Sequence, residues 1–98
     1  MRIEYNNKNI EKVCTNVTFA QKKYGERMAE IIHTRIRQII ASDSVQQMVQ
    51  FNIGRCHLLK GNRKNQYSLD LVHPYRLIFE KRGEEIIIAR IMEIVDYH

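Results

Sequence analysis

The sequence is poor in cysteine, the residue with which small proteins form stabilising disulfides and zinc clusters. Its 98 residues include two cysteines, one proline and no tryptophan. Cys14 and Cys56 lie far apart and form no C-x-x-C pair, which argues against a disulfide framework and a cysteine zinc cluster. We therefore expect both cysteines to be buried, reduced thiols. A P-loop, a Rossmann glycine pattern and a serine nucleophile elbow are also missing, which argues against the common nucleotide-binding and hydrolase classes.

Long apolar segments are absent as well. The longest clean apolar run covers residues 86–89, whereas a membrane-spanning helix needs about 20 apolar residues. The first residues contain Glu4 and no long apolar core, unlike a signal peptide. No linker, internal repeat or low-complexity stretch divides the chain. We therefore expect one cytoplasmic domain that spans residues 1–98 and does not involve a membrane.

Positive charge is abundant and unevenly distributed. The chain carries 16 Lys and Arg against 11 Asp and Glu, for a formal net charge of +5. Residues 54–82 hold seven of the basic side chains and two acidic ones, whereas residues 83–98 are net acidic. A basic segment interleaved with tyrosines suits a polyanion such as RNA, or an acidic protein partner. A solvated basic surface without a partner explains the charge alone equally well.

The first half of the chain has helical periodicity after one short alternating segment. Residues 2–5 alternate and predict an edge strand, and Asn7 or Asn9 can cap a short helix that follows. The longest apolar stripe predicts a helix over residues 19–41, with Thr18 as its N-cap and Gly25 as a conceivable break. A third, short helix is predicted over residues 45–51.

After Gly54 the apolar period changes from 3.6 to 2. Strands are predicted over residues 55–59, 67–72, 75–80 and 86–95, with a turn at His73-Pro74 because proline cannot continue a ladder. Helices followed by strands indicate an α+β fold. We expect two or three N-terminal helices packed on one face of a mainly antiparallel sheet of four to five strands.

The strand region and the end of the chain hold the reactive side chains. If Tyr75, Leu77 and Phe79 face the helices, Arg76 projects onto the open face of the sheet. Basic and imidazole groups on such a face suit RNA cleavage by the RNA's own 2′-hydroxyl, which needs proton transfer and cations at the phosphate. The candidate residues are Arg55, His57, Lys60, Arg63, Arg76, Asp96, Tyr97 and His98.

Each candidate also has a structural interpretation. A single His57 on a strand is more often a hydrogen-bonded structural residue, and the last three residues of a chain are often frayed. His57, Asp96 and His98 could together bind a metal ion, but they lack the ligand spacing typical of a zinc site. We therefore expect no metal and no cofactor.

Several motifs in the second half resemble one family closely. The stretch RCHLLKGNR starts at Arg55, QYSLDL starts at Gln66 and HPYRLIFE starts at His73, and the chain closes with Asp96, Tyr97 and His98. Together they resemble the HigB-like ("killer protein") branch of the RelE/ParE toxin superfamily. The early segment around Lys12 and the Lys23-Tyr24-Gly25 triplet resemble this branch as well, so the resemblance covers nearly the whole chain.

The resemblance implies a RelE-like fold and a toxin of a type II toxin–antitoxin pair. HigB-like members cleave mRNA in the ribosomal A site, without a metal, and so inhibit translation. The implied partners are the ribosome with its RNA, the mRNA substrate and a HigA-like helix-turn-helix antitoxin. Through that antitoxin the toxin would be linked indirectly to operator DNA.

The resemblance also implies roles for single residues. The family histidine of the R-x-H-x-L-x-G motif falls on His57, and the family arginine of R-[LI]-x-F falls on Arg76. Asp96 and His98 would share general base and acid work, with His57 as the competitor for either role. Tyr97 would orient the nucleotide.

Basic residues near the strand turn would hold the RNA backbone. Arg76 and Lys60 would contact the scissile phosphate, while Arg63, Lys64 and Arg55 would bind substrate elsewhere. Two turn positions depart from the family pattern: Asn62 replaces a common Asp, and Asn65 replaces a common Gly. These departures affect the shape of the turn more than the proposed chemistry.

Two other functions remain open. ParE-like relatives bind DNA gyrase without cleaving RNA, although such a binder has no need for the reactive set around His57. An inactive RNA-binding relative would use the basic charge alone.

Overall fold

A computed structural model describes residues 1–96, so that Tyr97 and His98 lie outside the described residues. The chain begins with a strand, continues through helices and ends in four further strands. The helices are α1 (Lys8–Thr15), α2 (Val17–Tyr24), α3 (Glu26–Ala41) and α4 (Val45–Gln50), followed by a 3-10 turn at Ile53–Arg55. The strands are β1 (Arg2–Tyr5), β2 (His57–Leu58), β3 (Gln66–Asp70), β4 (Tyr75–Arg82) and β5 (Ile88–Asp96). The fold class is therefore α+β, as predicted.

The described residues form four helices, so the expectation of two or three was wrong. The predicted long helix is divided at Gly25, which has φ +90° and cannot continue a right-handed helix. Thr18 was also wrong as the N-cap, because the side chain of Asn16 accepts a hydrogen bond from the Phe19 amide. The first α-helix is capped by Asn7, whose side chain accepts from the Ile10 amide at 2.9 Å. Asn and Gly are the residues that such ends favour.

The five described strands form one mixed sheet in the order β1-β5-β4-β3-β2. β1 pairs with β5 in parallel, whereas β5, β4, β3 and β2 pair antiparallel with their neighbours. The predicted strand over residues 55–59 is reduced to His57 and Leu58, because residues 53–55 form a 3-10 turn instead. The sheet thus ends in a very short edge strand.

One face of the sheet packs against the helices. Phe79, Leu77 and Ile91 from the central strands are fully buried in a cluster with Ile32 and Ile39 of α3. The rings of Tyr67 and Phe79 stack there with their centroids 5.5 Å apart. Burial of this apolar surface stabilises the domain and fixes which side chains face the opposite side.

The opposite face, here called the open face, carries no helix among the described residues. Arg76, Ile78 and Glu80 of β4 share it with their ladder partners Asp70, Ser68 and Gln66 of β3. Ile78 is nevertheless fully buried, so side chains rather than a second layer must cover it. No helix in the described part of the chain is long and apolar enough to cross a membrane.

Candidate functional site

The candidate site lies at the end of the open face near the β3–β4 turn. Antiparallel register places Asp70 opposite Arg76, and His57 of β2 opposite Ser68 on the same face. Residues directly opposite one another in a ladder project to the same side of a sheet. His57 and Arg76 therefore share one face, as the sequence predicts.

Asp70 joins two of the cations in this site. Its carboxylate accepts hydrogen bonds from Arg55 Nε at 2.5 Å and from Arg55 Nη2 at 3.3 Å. Nε of Arg76 lies 3.8 Å from Oδ1 of the same carboxylate, the oxygen that also accepts from Arg55 Nη2. Asp70 thus orients two guanidinium groups toward one region of the open face.

Charge around Asp70 keeps its carboxylate ionised. Burial alone would raise its pKa, but the hydrogen bond and charge of Arg55, with the charges of Arg76 and His57, outweigh burial and lower the pKa. The same contact raises the pKa of Arg55. A carboxylate that stays ionised at neutral pH between two arginines can align both guanidinium groups.

His57 has one ring nitrogen engaged. Its Nδ1 lies 2.8 Å from the carbonyl oxygen of Arg55, and since a carbonyl only accepts, Nδ1 must carry the proton. In the neutral ring Nε2 then holds the lone pair and can accept a proton. The backbone of Arg55 therefore selects the tautomer that proton transfer through Nε2 requires.

Two residues that the sequence analysis did not identify lie next to this site, on the side of the helices. Arg35 of α3 donates a hydrogen bond from Nε to the backbone carbonyl of Asp70 at 2.7 Å. A Cβ on Gly54 would lie 2.7 Å from Arg35 Nε, so a larger residue at this position would force the Arg35 side chain to move. Arg35 thereby ties the end of β3 to the helix layer.

Asp70 itself was also missed. The alternation of β3 identified it only as a polar position between Leu69 and Leu71. A signal was nevertheless present, because Asp70 and Glu80 are the two acidic residues in the strongly basic segment of residues 54–82. An isolated carboxylate among cations is often their common partner.

The predicted substrate-binding residues fall into two groups. Arg55 belongs to the site around Asp70, whereas Lys60, Arg63 and Lys64 lie in the loop between β2 and β3. Arg63 folds back toward the open face, where Nη1 lies 3.6 Å from a carboxylate oxygen of Glu93 on β5 and donates to the Gln66 side chain at 3.2 Å. Lys60 and Lys64 are exposed.

The turn beside these lysines adopts the backbone expected of it. Asn65 has φ +59°. Asn tolerates this left-handed conformation better than most residues. Asn65 is therefore compatible with the backbone of the turn.

Asp96 lies at the end of β5, opposite Tyr75 in the ladder. Tyr75 packs with the helix layer, where its ring contacts Tyr24 edge to face at 5.9 Å. The register therefore places Asp96 on the face of Tyr75, whereas Val95 shares the face of Arg76. The structure brings Arg55, His57 and Arg76 together but does not put Asp96 on their face. Tyr97 and His98, for which roles were also predicted, lie outside the described residues.

A small hollow of about 50 Å³ opens beside these groups, between Arg55, Asp70, Arg76 and the His73–Pro74 turn. Two guanidinium groups at its rim can bind an anionic oxygen, and the imidazole nearby can transfer a proton. Across residues 1–96, no cluster of three or more His, Cys, Asp or Glu side chains is placed to hold a metal ion.

Comparison with known proteins identifies the fold. The structure superposes on a YoeB/ParE toxin from Agrobacterium tumefaciens with a TM-score of 0.69, over 100% of both chains, at 14% sequence identity. No protein-family model and no curated protein matches the sequence. The chain therefore shares the fold of this YoeB/ParE toxin.

Proposed function

We propose that this protein is the toxin of a type II toxin–antitoxin pair and acts as a ribosome-dependent mRNA endonuclease of the HigB-like branch. The cluster of Arg55, His57 and Arg76 around Asp70 carries the proposal. It gathers two fixed cations and a proton-transfer group at one end of an open sheet face. The fold is shared with a protein whose name identifies it as a toxin.

The chemistry would be attack of the 2′-hydroxyl on the adjacent phosphorus. The 2′-oxygen forms a bond to phosphorus while the bond to the 5′-oxygen breaks, which yields a 2′,3′-cyclic phosphate and a 5′-hydroxyl. Arg76, with Arg55 and Lys60, would hold the phosphate oxygens and stabilise their extra charge. His57 Nε2 would take the 2′ proton or, when protonated, supply one to the 5′-oxygen.

The end of the chain would complete the proton transfer. Asp96 and His98 are proposed to share general base and acid work with His57, and Tyr97 to stack on or orient a nucleotide. Asp96 would act from the end of β5, next to the ladder pair of Arg76 and Val95.

The basic loop would bind the RNA backbone. Arg63 and Lys64 lie beyond β2, and the basic side chains of residues 54–82 extend from this loop to β4. Such contacts depend on salt and not on sequence. They would suit ribosomal RNA at the A site as well as mRNA.

The partners follow from the proposed class. A toxin of this kind would be neutralised by a HigA-like helix-turn-helix antitoxin, and the complex would bind operator DNA through the antitoxin. We propose that the toxin acts in the cytoplasm, where ribosomes and mRNA are present. No metal or cofactor enters the proposed reaction.

Induced expression of the chain in bacteria tests the proposal. Growth should stop, and primer extension should detect new mRNA ends inside codons of translated messages. Arg76→Ala should lower cleavage by about 10²–10³-fold, as the loss of a cation that stabilises charge typically does. Thermal unfolding of purified Arg76→Ala controls for misfolding.

Arrested growth with intact mRNA and inhibited gyrase supercoiling would instead indicate the ParE-like alternative.

A further inference from the structure

A second hollow lies beside the candidate site. It has a volume of about 370 Å³ and opens between the corner that joins α2 to α3 and the turn that joins β3 to β4. We call it the corner cleft. Its volume is within the range of small-molecule sites. Neither the resemblance nor the proposed chemistry assigns a role to it.

The break between α2 and α3 lies at the edge of this cleft, because Gly25 is one of its lining residues. With φ +90°, Gly25 ends α2, and α3 starts anew at Glu26. A Cβ added at Gly25 would find no atom within 4 Å, so the corner borders open space. The glycine is therefore required by its backbone conformation and not by close packing.

Aromatic and apolar groups form the wall of the cleft. Tyr24 and Tyr75 pack edge to face with their ring centroids 5.9 Å apart, and both remain partly exposed. The buried Met28 also lines the cleft. Such walls suit a flat, partly apolar ligand such as a nucleobase, because any of the bases can stack on an aromatic ring.

Charged groups stand at the rim. Lys23 and Arg27 are exposed cations of α2 and α3, and the Lys23 ammonium lies 5.7 Å from the centre of the Tyr24 ring. His73 borders the cleft from the turn, and Glu26 is the one carboxylate among the described lining residues. The rim therefore has a net positive charge, and an anion can be held close to an aromatic surface.

The corner cleft adjoins the site around Asp70. His73 and Tyr75 line both the cleft and the small hollow beside Arg55, Asp70 and Arg76. A strand of RNA whose phosphate lies at Arg76 would therefore reach the cleft across the β3–β4 turn. Adjacency to a phosphate site selects a nucleotide over other aromatic anions.

We propose that the corner cleft binds the nucleotide next to the scissile phosphate, with its base against Tyr24 and Tyr75 and its phosphate on Lys23 and Arg27. This inference rests on the proposed function, since it takes the substrate to be single-stranded RNA. It adds a subsite on the helix layer to chemistry that is otherwise confined to the sheet. Binding there would align the strand before the 2′-hydroxyl attacks.

Titration of the full chain with a short RNA, followed by amide NMR, tests the subsite. The probe is a 2′-O-methyl adenosine trinucleotide, which cannot be cleaved because its 2′-oxygens are blocked. At low salt the amide signals of Gly25 and Val72 should shift. Inorganic phosphate at the same concentration should leave these signals in place, because it supplies no base.

A pair of matched double variants distinguishes binding in the cleft from nonspecific attraction of RNA to the positive charge of the protein. Lys23→Ala with Arg27→Ala should weaken binding about tenfold and lower the salt dependence by up to about 0.7 per lost phosphate contact. Lys8→Ala with Arg37→Ala removes the same charge, one lysine and one arginine, from exposed positions that do not line the cleft. When both pairs are compared in 0.15 M salt, this control should change the dissociation constant less than about twofold, because exposed charges more than a Debye length of about 8 Å away are largely screened.

Three results would overturn the subsite. These are no shift at Gly25 and Val72, equal weakening by the two double variants, or equal shifts with phosphate alone. Ribosomal cleavage by the same proteins separates this inference from the proposed function. Cleavage that is unaffected by Lys23→Ala with Arg27→Ala refutes the subsite only, whereas cleft binding by a wild type that never cuts mRNA refutes the endonuclease only.

Discussion

Asp70 accepts two hydrogen bonds from the guanidinium group of Arg55, at 2.5 and 3.3 Å. This pair spans the gap between β3 and the turn that precedes β2, and the same carboxylate is 3.8 Å from Arg76 Nε. One acidic residue therefore sets the positions of two cations on the open face. The proposed phosphate site depends on this relationship.

Asp70→Asn should make stability less dependent on pH. The pKa of Asp70 is lowered in the folded protein, so its contribution is present above the unfolded pKa of about 3.9 and is lost as the pH falls through the folded value. The difference in free energy of unfolding between wild type and Asp70→Asn should thus be largest above about pH 5. Urea unfolding at pH 7 and at pH 3 measures it. A difference that grows on acidification would contradict the pairing.

Asp70→Asn should also reduce cleavage, because Arg55 and Arg76 lose the group that aligns them. Misalignment of this kind costs about 10²-fold. Asp43→Asn is a suitable control, since Asp43 is an exposed acid between α3 and α4. Full activity in Asp70→Asn would show that the two arginines need no positioning residue.

His57→Gln should lower cleavage about 10²–10⁴-fold if Nε2 transfers a proton. The amide of Gln can still donate a hydrogen bond to the Arg55 carbonyl, so the local fold should survive. His33→Gln on α3 provides the matched control, because His33 lies outside the open face. Primer extension at several pH values adds a second readout: a lost limb of the pH profile indicates proton transfer. An unchanged profile would assign His57 a structural role.

The two asparagines at the start of α1 give a test of the fold. Asn7→Ala should lower the free energy of unfolding by about 1 kcal/mol, because its side chain caps the Ile10 amide. Asn9→Ala lies inside the helix, where it removes no cap, and should change stability by less than about 0.5 kcal/mol. Equal effects in thermal or urea unfolding would contradict the cap.

The main features of the sheet follow from short-range pattern. Alternation in β3 and β4 correctly predicts which side chains face the helices, and it places Arg76 on the open face; the pairing of β2 with β3 adds His57 to that face. The parallel pairing of β1 with β5 could not be predicted, because it joins strands at opposite ends of the chain. Such a contact depends on how the whole helix layer packs, which no local pattern encodes.

The helix boundaries show a second limit. The apolar stripe runs through Gly25 without interruption, so periodicity predicts one helix even though the backbone turns there. Asn16 and Thr18 are both good caps by residue type, and only the geometry of the α1–α2 junction selects Asn16. The role of Asp70 was missed for the same reason, since its partners come from the 3-10 turn and from β4.

The buried cysteines are confirmed. Cys14 and Cys56 are free and 3% exposed, and burial raises the pKa of Cys14 to about 12 and that of Cys56 to about 11. Alkylation by iodoacetamide at pH 8 should therefore be slow in the folded protein and fast in denaturant, because the thiolate is the reactive form. Mass spectrometry measures the alkylation, and rapid modification of the native protein would contradict this burial.

The structure of the cleavage products tests the central claim most directly. Purified toxin, ribosomes and a short mRNA are combined, the cut position is mapped, and the same mRNA is then made with one 2′-deoxy nucleotide immediately before the cut. The account predicts a 2′,3′-cyclic phosphate from the unmodified mRNA and no cut at that position in the substituted one. Equal cleavage of the 2′-deoxy mRNA, or no cleavage of either, would contradict it.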